Sequence, residues 1–273
     1  MISSTANQQV KTIIQLNKKS KARRELRAFV VEGIKMCRET PRELLQRVYI
    51  TQQFEASENF QAFLAGNDID YEVVSDSVFA HMSDTNTPQG ILALVRMPEY
   101  TFADLINTSN PQPLVLEDIQ DPGNLGTMFR TAEGAGISGI IMTKETVDLF
   151  GPKTVRATMG SIYRMPYLIT EDLHQLLQDL RQAGVRTFAA HLQGKKYYDE
   201  LNFTAPSAFL IGNEGNGLRE ETAKLADEYL KIPMEGQLES LNAAMAAGIL
   251  MYEAHRQRRR MTDREESCVF GSK

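Results

Sequence analysis

Residues 114–142 read LVLEDIQDPGNLGTMFRTAEGAGISGIIM, and this stretch decides the fold. The apolar runs at residues 114–116 and 139–142 predict two short buried strands, and residues 125–135 between them have the apolar spacing of a helix. A strand, a helix and a second strand in this order are typical of one unit of a parallel sheet. The stretch therefore predicts an α/β fold.

The same alternation of strands and helices continues to residue 260. It predicts a parallel sheet whose two faces are covered by helices. The further predicted strands are residues 167–169, 187–190, 209–211 and 229–232, and the further predicted helices are residues 153–159, 173–182, 218–225 and 242–260.

Residues 1–97 predict a smaller α/β domain ahead of the first. Residues 98–112 are rich in proline, asparagine and serine and predict a linker, so that the larger domain covers residues 113–273. In the smaller domain the predicted strands are residues 29–31, 48–51, 71–74 and 90–95, and the predicted helices are residues 10–26, 34–46 and 59–64.

The composition excludes several classes of protein. A chain of 273 residues is long enough for two domains with cores of their own. Cys37 and Cys268 are too few and too far apart for a disulfide framework or a thiolate metal site, and they favour a reducing compartment. The polar start and the lack of a long apolar run favour a soluble, cytoplasmic protein without a membrane segment.

The net charge of −5 disfavours a nucleic-acid partner, because RNA binding draws affinity from basic side chains on phosphates. The charge is unevenly distributed, however. One basic cluster, opposed by Glu25, lies near the N-terminus, and a second lies at residues 256–260. Each is either a solvated helix face or a phosphate-binding surface. The first cluster consists of Lys11, Lys18, Lys19, Lys21, Arg23, Arg24 and Arg27.

Common catalytic motifs are absent or misplaced. Residues 134–139, GAGISG, fit the dinucleotide-binding pattern G-x-G-x-x-G, but they close a helix and precede a strand, the reverse of that site's context. They indicate a helix C-terminus, which disfavours a nucleotide-dependent oxidoreductase. The sequence has no P-loop and no G-x-S-x-G motif. The histidines, His81, His174, His191 and His255, lack metal-ligand spacing.

Three polar segments follow predicted strands, which is where parallel sheets place their ligand sites. In the first, Asn124 is a helix cap or a site residue, and Arg130 is an ion-pair partner or a functional cation. In the second, three glycines form a tight turn or let backbone approach a flat ligand. In the third, Ser240 and Asn242 precede a helix of small residues. The segments are residues 117–136, 209–218 and 232–255.

Taken together, the three segments resemble the signature motifs of the SPOUT class of methyltransferases, and within it the SpoU (TrmH-like) RNA ribose methyltransferase family. The order and spacing agree across residues 114–258, and residues 29–33 and 87–90 more loosely resemble the family's L30e-like substrate-binding domain. The matching residues are Asn124-Leu125-Gly126 and Arg130-Thr131-Ala132, then Ile211-Gly212-Asn213-Glu214-Gly215-Asn216-Gly217, then Ile232-Pro233-Met234 and Ser240-Leu241-Asn242.

The resemblance implies an α/β fold in which the parallel sheet ends in a C-terminal trefoil knot, beside the smaller L30e-like domain at residues 1–97. It implies S-adenosylmethionine as cofactor, no metal, an RNA substrate with rRNA favoured over tRNA, and a homodimer. The implied catalytic residues are Asn124, Arg130, Glu214, Ser240 and Asn242, and the implied cofactor contacts are Ile211, Gly212, Asn213, Glu214, Gly215, Ile232, Met234 and Leu241. The sequence departs from many relatives at Ala244, where they carry serine.

Methyl transfer from the sulfonium of S-adenosylmethionine to the ribose is an in-line displacement in which the 2′-hydroxyl loses its proton. Because a guanidinium stays protonated in proteins, we expect Arg130 to act as a fixed positive charge at the phosphate and the developing alkoxide. We expect Lys18, Lys19, Lys21, Arg23 and Arg24 to bind RNA. The alternatives are base N-methylation on the same scaffold and RNA binding without catalysis.

Two further expectations concern small residues. Gly212 is expected to let backbone approach the cofactor, so that Gly212→Val abolishes binding. The helix at residues 242–260 is expected to form the dimer interface through its small residues, with Ala247→Glu as the disrupting change. Those small residues are Ala243, Ala244, Ala246, Ala247 and Gly248.

Overall fold

The computed structural model describes residues 1–64 and 69–270, with side chains described up to residue 261. The chain forms two compact units. The first contains residues 1–99 and residues 148–163, and the second contains residues 100–147 and the chain from residue 164 onward. The sequence pattern gives no sign that residues 148–163 pack with the first unit, because their helical spacing is like that of the segments around them.

The helices and strands expected from the sequence are present in the expected order. The helices are α1 (Gln8–Lys18), α2 (Ser20–Leu26), α3 (Ile34–Glu39), α4 (Gln52–Glu55), α5 (Glu58–Leu64), α6 (Asp76–Met82), α7 (Phe102–Ile106), α8 (Pro122–Ala135), α9 (Pro152–Thr158), α10 (Leu173–Gln182), α11 (Glu220–Leu225) and α12 (Ala243–Phe270). The strands are β1 (Ala28–Glu32), β2 (Leu45–Thr51), β3 (Tyr71–Val74), β4 (Ile91–Arg96), β5 (Pro113–Leu116), β6 (Gly139–Thr143), β7 (Tyr167–Thr170), β8 (Arg186–Ala190), β9 (Lys196–Tyr197), β10 (Ser207–Ile211) and β11 (Glu228–Lys231). The structure adds α4, α6 and β9, which the sequence pattern did not predict.

The first unit is built on a sheet of order β1-β4-β2-β3, in which β4 is antiparallel to both neighbours and β2 is parallel to β3. Apolar side chains of α1 and α6 pack against this sheet.

Two helix predictions were wrong in their extent. The backbone is extended at Lys19, which separates α1 from α2. The helix expected at residues 34–46 ends at Glu39, because Pro41 disfavours helical backbone at Thr40.

Arg23 belongs to the N-terminal basic cluster, but in the structure its side chain is buried in an ion pair. Its guanidinium is 7% exposed and lies 2.6 Å from Asp148, which belongs to the same unit. It also donates to the carbonyl oxygens of Leu16 and Asn17 at the end of α1. The expectation that Arg23 binds RNA is therefore wrong, because its donors are already used inside the unit. Cys37 is buried and free, whereas Cys268 lies outside the described side chains.

The second unit contains a fully parallel sheet of order β7-β6-β5-β10-β8-β11-β9, as the sequence predicts apart from the two-residue β9. The chain leaves β5 towards β6 and β7 on one side and returns through β10 on the other. Adjacent parallel strands whose connections diverge leave a crevice at their carboxyl ends. The sheet order therefore places the loops after β5 and β10 side by side. Gly136 ends α8 in the left-handed conformation, with φ of 73°, which confirms that residues 134–139 close a helix.

Helix α12 packs on α8 and β10 within the same unit. Its small residues Ala243, Ala244 and Ala247 are buried there, and Ala247 is fully inaccessible. The expectation that these alanines form a surface for a second subunit is therefore wrong, since they already pack inside one chain. No helix of the described residues is long and apolar enough to cross a membrane.

The basic run at residues 256–260 includes a carbonyl-binding arginine. Arg258 donates to the carbonyl oxygens of Phe203, Asn110 and Ala205 at 2.9 Å each. Burial lowers the pKa of Arg258 to about 10, so the guanidinium stays charged at neutral pH. The adjacent Gln257 donates to the Leu201 carbonyl and accepts from Phe203 N. These two side chains fasten α12 to the segment that precedes β10.

We predict that Arg23→Met lowers the free energy of unfolding of the first unit by about 3–5 kcal/mol, because it leaves a partly buried carboxylate at Asp148 without its partner. Arg24→Met is the matched control, since the neighbouring Arg24 is exposed and the change should stay within about 0.5 kcal/mol. Urea unfolding of both variants measures the difference. Equal losses in the two variants would contradict the structural role of Arg23.

Candidate functional site

The three polar segments meet at one open cleft in the second unit. The cleft has a volume of about 770 Å³, within the range of small-molecule sites. It lies beyond the carboxyl ends of β5 and β10, where the sheet order places a crevice. Its lining residues are Gln120, Asp121, Asn124, Glu214, Ser240, Leu241, Asn242 and Ala243.

The side chain of Asn124 is not used to cap α8. Asp121, and not Asn124, caps this helix, because its Oδ1 accepts from Asn124 N at 2.7 Å. Pro122 occupies the first helical turn, where it needs no backbone donor. The Asn124 side chain is thereby available, and its Nδ2 donates to Glu214 Oε1 at 3.0 Å.

Glu214 fastens the loop after β10 to the loop after β5. Its Oε1 also accepts from Asp121 N, and its Oε2 accepts from Gln120 N, both at 3.0 Å. We call Glu214 and these three donors, Gln120 N, Asp121 N and Asn124 Nδ2, the Glu214 clasp. Partial burial raises the pKa of the Glu214 carboxyl, but the three hydrogen bonds outweigh it and leave the pKa below its ordinary value. The group is therefore an ionised acceptor at neutral pH.

Asn242 connects the third segment to the other two. Its Nδ2 donates to Asn124 Oδ1 at 2.9 Å, and its Oδ1 accepts from Ala244 N and Met245 N at the start of α12. The amide orientations are thus fixed by the network from Glu214 through Asn124 to Asn242. Asn242 thus caps the start of α12 and also lines the cleft.

The loop between β10 and Leu218 is closed by its own backbone. Asn213 and Gly217 exchange two backbone hydrogen bonds, and Asn213 Oδ1 accepts from Gly215 N and Asn216 N. A Cβ on Gly212 would lie 2.0 Å from the carbonyl carbon of Gly217. The loop itself therefore requires this glycine, because the side chain of Gly212→Val would collide with the loop backbone whether or not a ligand is bound.

The cleft gathers Asn124, Glu214, Ser240 and Asn242 of the expected catalytic residues, together with Leu241 of the expected cofactor contacts. Arg130 is exposed on α8 and is not among the lining residues; within the described residues it has no hydrogen-bond or ion-pair partner. Ile211 is a buried residue of β10, and Ile232 and Met234 are half-buried in the loop after β11.

Sequence reasoning missed Gln120 and Asp121. Both line the cleft, and both hold the clasp through backbone N–H groups. The Asp-Pro pair at a strand-to-helix junction was the available signal for the cap, because aspartate is favoured at the N-cap and proline at the next position. The backbone donors themselves have no sequence signal.

The donor set of the cleft suits an uncharged or cationic organic ligand better than a metal ion. Amide, hydroxyl and apolar side chains line it beside the carboxylates Asp121 and Glu214. Both oxygens of Glu214 already accept hydrogen bonds from the clasp. Among the described side chains, no group of three or more His, Cys, Asp or Glu residues is arranged to hold a metal ion.

Comparison with known families gives a match to both parts of the chain. Residues 112–252 match the SpoU rRNA Methylase family, and residues 7–93 match the MRM3-like substrate binding domain. The 23S rRNA (guanosine(2553)-2′-O)-methyltransferase RlmP of Bacillus subtilis (strain 168) is 32% identical over 253 residues, which are 92% of this chain and 97% of that protein.

Solved structures agree over nearly the whole chain. The AdoMet-bound rRNA methyltransferase from Sinorhizobium meliloti superposes with a TM-score of 0.81 at 33% identity, covering 93% of this chain and 97% of that one. A structure of an RNA 2′-O ribose methyltransferase superposes with a TM-score of 0.79 at 30% identity, covering 94% of this chain and 98% of that one.

We predict that Gly212→Ala lowers the free energy of unfolding by about 1–3 kcal/mol, since its Cβ forces the loop backbone apart. Gly215→Ala is the matched control in the same loop: its Cβ would meet nothing closer than Asn213 Oδ1 at 3.6 Å. Thermal unfolding compares the two variants. A Gly212→Ala protein as stable as Gly215→Ala would show that the loop does not require the glycine.

Proposed function

Because the chain belongs to the SpoU rRNA Methylase family, we propose that it transfers the methyl group of S-adenosylmethionine to a ribose 2′-hydroxyl of RNA. The observation that carries the proposal is the Glu214–Asn124–Asn242 network at the mouth of the cleft. The 2′-O specificity is supported by the names of the Bacillus subtilis relative and of the RNA 2′-O ribose methyltransferase structure. The first of these names also favours rRNA over tRNA as the substrate.

The cofactor is proposed to bind at the cleft, and the AdoMet-bound rRNA methyltransferase from Sinorhizobium meliloti, which has the same fold, supports this choice of cofactor. The residues proposed to hold it are Leu241 and the loop backbone, with the remaining contacts supplied by Ile211, Gly212, Asn213, Glu214, Gly215, Ile232 and Met234. When bound, the sulfonium supplies an activated methyl group. We propose that these loops belong to a trefoil knot, in line with the family resemblance.

In the proposed mechanism, Glu214 does not remove the ribose proton. Its pKa is low and both of its oxygens accept hydrogen bonds, so it is a poor base at neutral pH. It instead orients the Asn124 amide, and the Ser240 hydroxyl and the Asn242 amide add donors at the ribose. Arg130 is proposed as the cation that stabilises the developing alkoxide and the adjacent phosphate. The hydroxyl proton passes to a phosphate oxygen or to water, and the methyl–sulfur bond breaks to leave a neutral thioether.

Arg130 lies on α8 near the point where this helix approaches the exposed side chain of Tyr252 on α12. It lies one turn before Gly134 on α8, and a Cβ on Gly134 would lie 3.1 Å from the Tyr252 hydroxyl of α12. Met245 and Tyr252 on α12 are 60% and 50% exposed. We propose that this outer stripe, Met245, Ile249 and Tyr252, forms the homodimer interface, which places Arg130 beside the second subunit and its cleft.

The RNA is proposed to contact the first unit, which matches a substrate-binding domain. Lys18, Lys19, Lys21 and Arg24 remain exposed there, whereas Arg23 is buried. Lys21 pairs with Glu25 at 3.8 Å across exposed helix surface, an interaction that water and salt weaken. These four exposed cations are proposed to neutralise phosphates.

We predict that Arg130→Ala lowers methyl transfer at least about 100-fold and leaves S-adenosylmethionine affinity unchanged, because its charge acts on the RNA and not on the cationic sulfonium. Calorimetry in the presence of a chelator measures affinity, and digestion of methylated RNA shows whether 2′-O-methylnucleotides or methylated bases form. Arg259→Ala, an exposed arginine of α12, is the control. Methylated bases as product would refute the ribose assignment, and full turnover of Arg130→Ala would refute the role of Arg130.

We predict a homodimer that Met245→Glu and Tyr252→Glu each weaken, with a dissociation constant at least about tenfold higher, or about 1.4 kcal/mol. Ala247→Glu is unsuitable as a test, because Ala247 is fully buried within one chain and the variant would unfold. Ile169→Glu is the matched control, since Ile169 is 52% exposed elsewhere in the same unit. Light scattering of the purified protein measures assembly. A fully active monomer at micromolar concentration would defeat this proposal.

A further inference from the structure

Behind the Glu214 clasp lies a second connection between the loops that follow β5 and β10. The Arg219 guanidinium donates to the Asp118 carboxylate, and its Nε lies 4.0 Å from Glu117 Oε1. Glu117 is buried and accepts from Arg219 N at 2.7 Å. Glu117 and Asp118 directly follow β5, whereas Arg219 ends the loop after β10. We call Glu117, Asp118 and Arg219 the rear bridge.

Asp118 has a left-handed backbone conformation that lets it hydrogen-bond to the end of β6 and to the loop after β10. Its φ is +56°, the left-handed region that non-glycine residues rarely adopt and that aspartate tolerates better than most. In this conformation its carbonyl oxygen accepts from Asn213 Nδ2 at 2.8 Å, while its carboxylate accepts from the Thr143 hydroxyl and from Arg219. One residue thus holds the β6 end and both ends of the loop after β10.

The clasp depends on the distance between these two loops. Glu214 lies next to Asn213 on one loop, whereas its backbone donors, Gln120 N and Asp121 N, lie on the other. A carboxylate meets two backbone donors and a side-chain amide at 3.0 Å only while the loops stay in register. The rear bridge joins the same two loops at a second place, and none of its residues lines the cleft.

We propose that Arg219 is a positioning residue for methyl transfer: its bridge to Asp118 keeps Glu214 on its three donors and thereby orients Asn124 and Asn242. The expected effect on methyl transfer rests on the proposed function, whereas the expected effect on Glu214 and its hydrogen bonds does not depend on that function. Arg219 is half exposed, so a direct contact of its guanidinium with RNA phosphate is the competing role.

The test uses the full-length variants Arg219→Met, Arg219→Lys and Asp118→Asn. Asn tolerates the left-handed backbone, so Asp118→Asn removes the charge and keeps the fold. We expect kcat to fall roughly 10- to 100-fold in Arg219→Met and Asp118→Asn with KM for RNA unchanged, as for misplaced catalytic groups. Arg219→Lys keeps the charge at Asp118 and should recover part of the loss.

The second readout is the titration of Glu214, followed by carboxyl carbon NMR and by the pH profile of kcat. With its donors displaced but its burial kept, the pKa of Glu214 rises, so the acid limb of the profile moves towards neutral pH. Asp121 lines the cleft together with Glu214, and the charged groups around Arg219 are Asp118, Glu117 and Glu145. Asp121→Asn in the wild-type background identifies any contribution of Asp121 to that limb.

Arg186→Met is the matched control, because Arg186 is 55% exposed, pairs with Glu228 and lies at the opposite end of the strands. It should keep both kcat and the Glu214 titration. An unchanged Glu214 titration in folded Asp118→Asn and Arg219→Met overturns the proposal, as does a raised KM for RNA with kcat intact, which would assign Arg219 to phosphate binding. A wild-type protein without methyl transfer refutes the proposed function instead, and the NMR titration still decides whether the bridge holds Glu214.

Discussion

The pairing of β5 with β10 is the constraint on which the second unit depends. Leu114, Val115 and Leu116 lie in parallel register with Phe209, Leu210 and Ile211, although the paired residues are 95 positions apart in the chain. Parallel strands send their following loops to the same edge of the sheet. The cap of α8, the closed loop that carries Glu214 and the cleft between them all follow from this register, since a shift by one residue would reverse every side chain.

The parts of the fold that depend on local pattern were predictable from the sequence. Strands β3 and β5 to β8, and helices α8 and α10, were predicted within a few residues, because buried strands and amphipathic helices impose their period on neighbouring positions. The end of α3 was missed because the apolar spacing of a helix continues to residue 46, whereas Pro41 disfavours helical backbone just after Glu39. The packing of residues 148–163 with the first unit has no local signal at all.

The candidate site was predictable as a set of residues but not as a mechanism. Motif spacing identified Asn124, Glu214 and Asn242, yet their roles depend on which atoms donate and which accept. Those directions are set by backbone N–H groups of Gln120 and Asp121, which every residue type but proline carries and no sequence pattern marks. Arg23 illustrates the reverse error: a charge that looks solvated in the sequence is buried because its partner lies 125 residues away.

The attachment of α12 by Gln257 and Arg258 gives the chain an order of assembly. Asn242 begins the helix and completes the amide network, yet the side chains that fasten the helix lie some four turns later, on the carbonyls of residues 201–205. During synthesis, the start of α12 emerges well before the part that anchors it. A nascent chain that has passed residue 242 but not residue 258 therefore has the polar residues of the cleft but not the hydrogen bonds by which Gln257 and Arg258 attach α12.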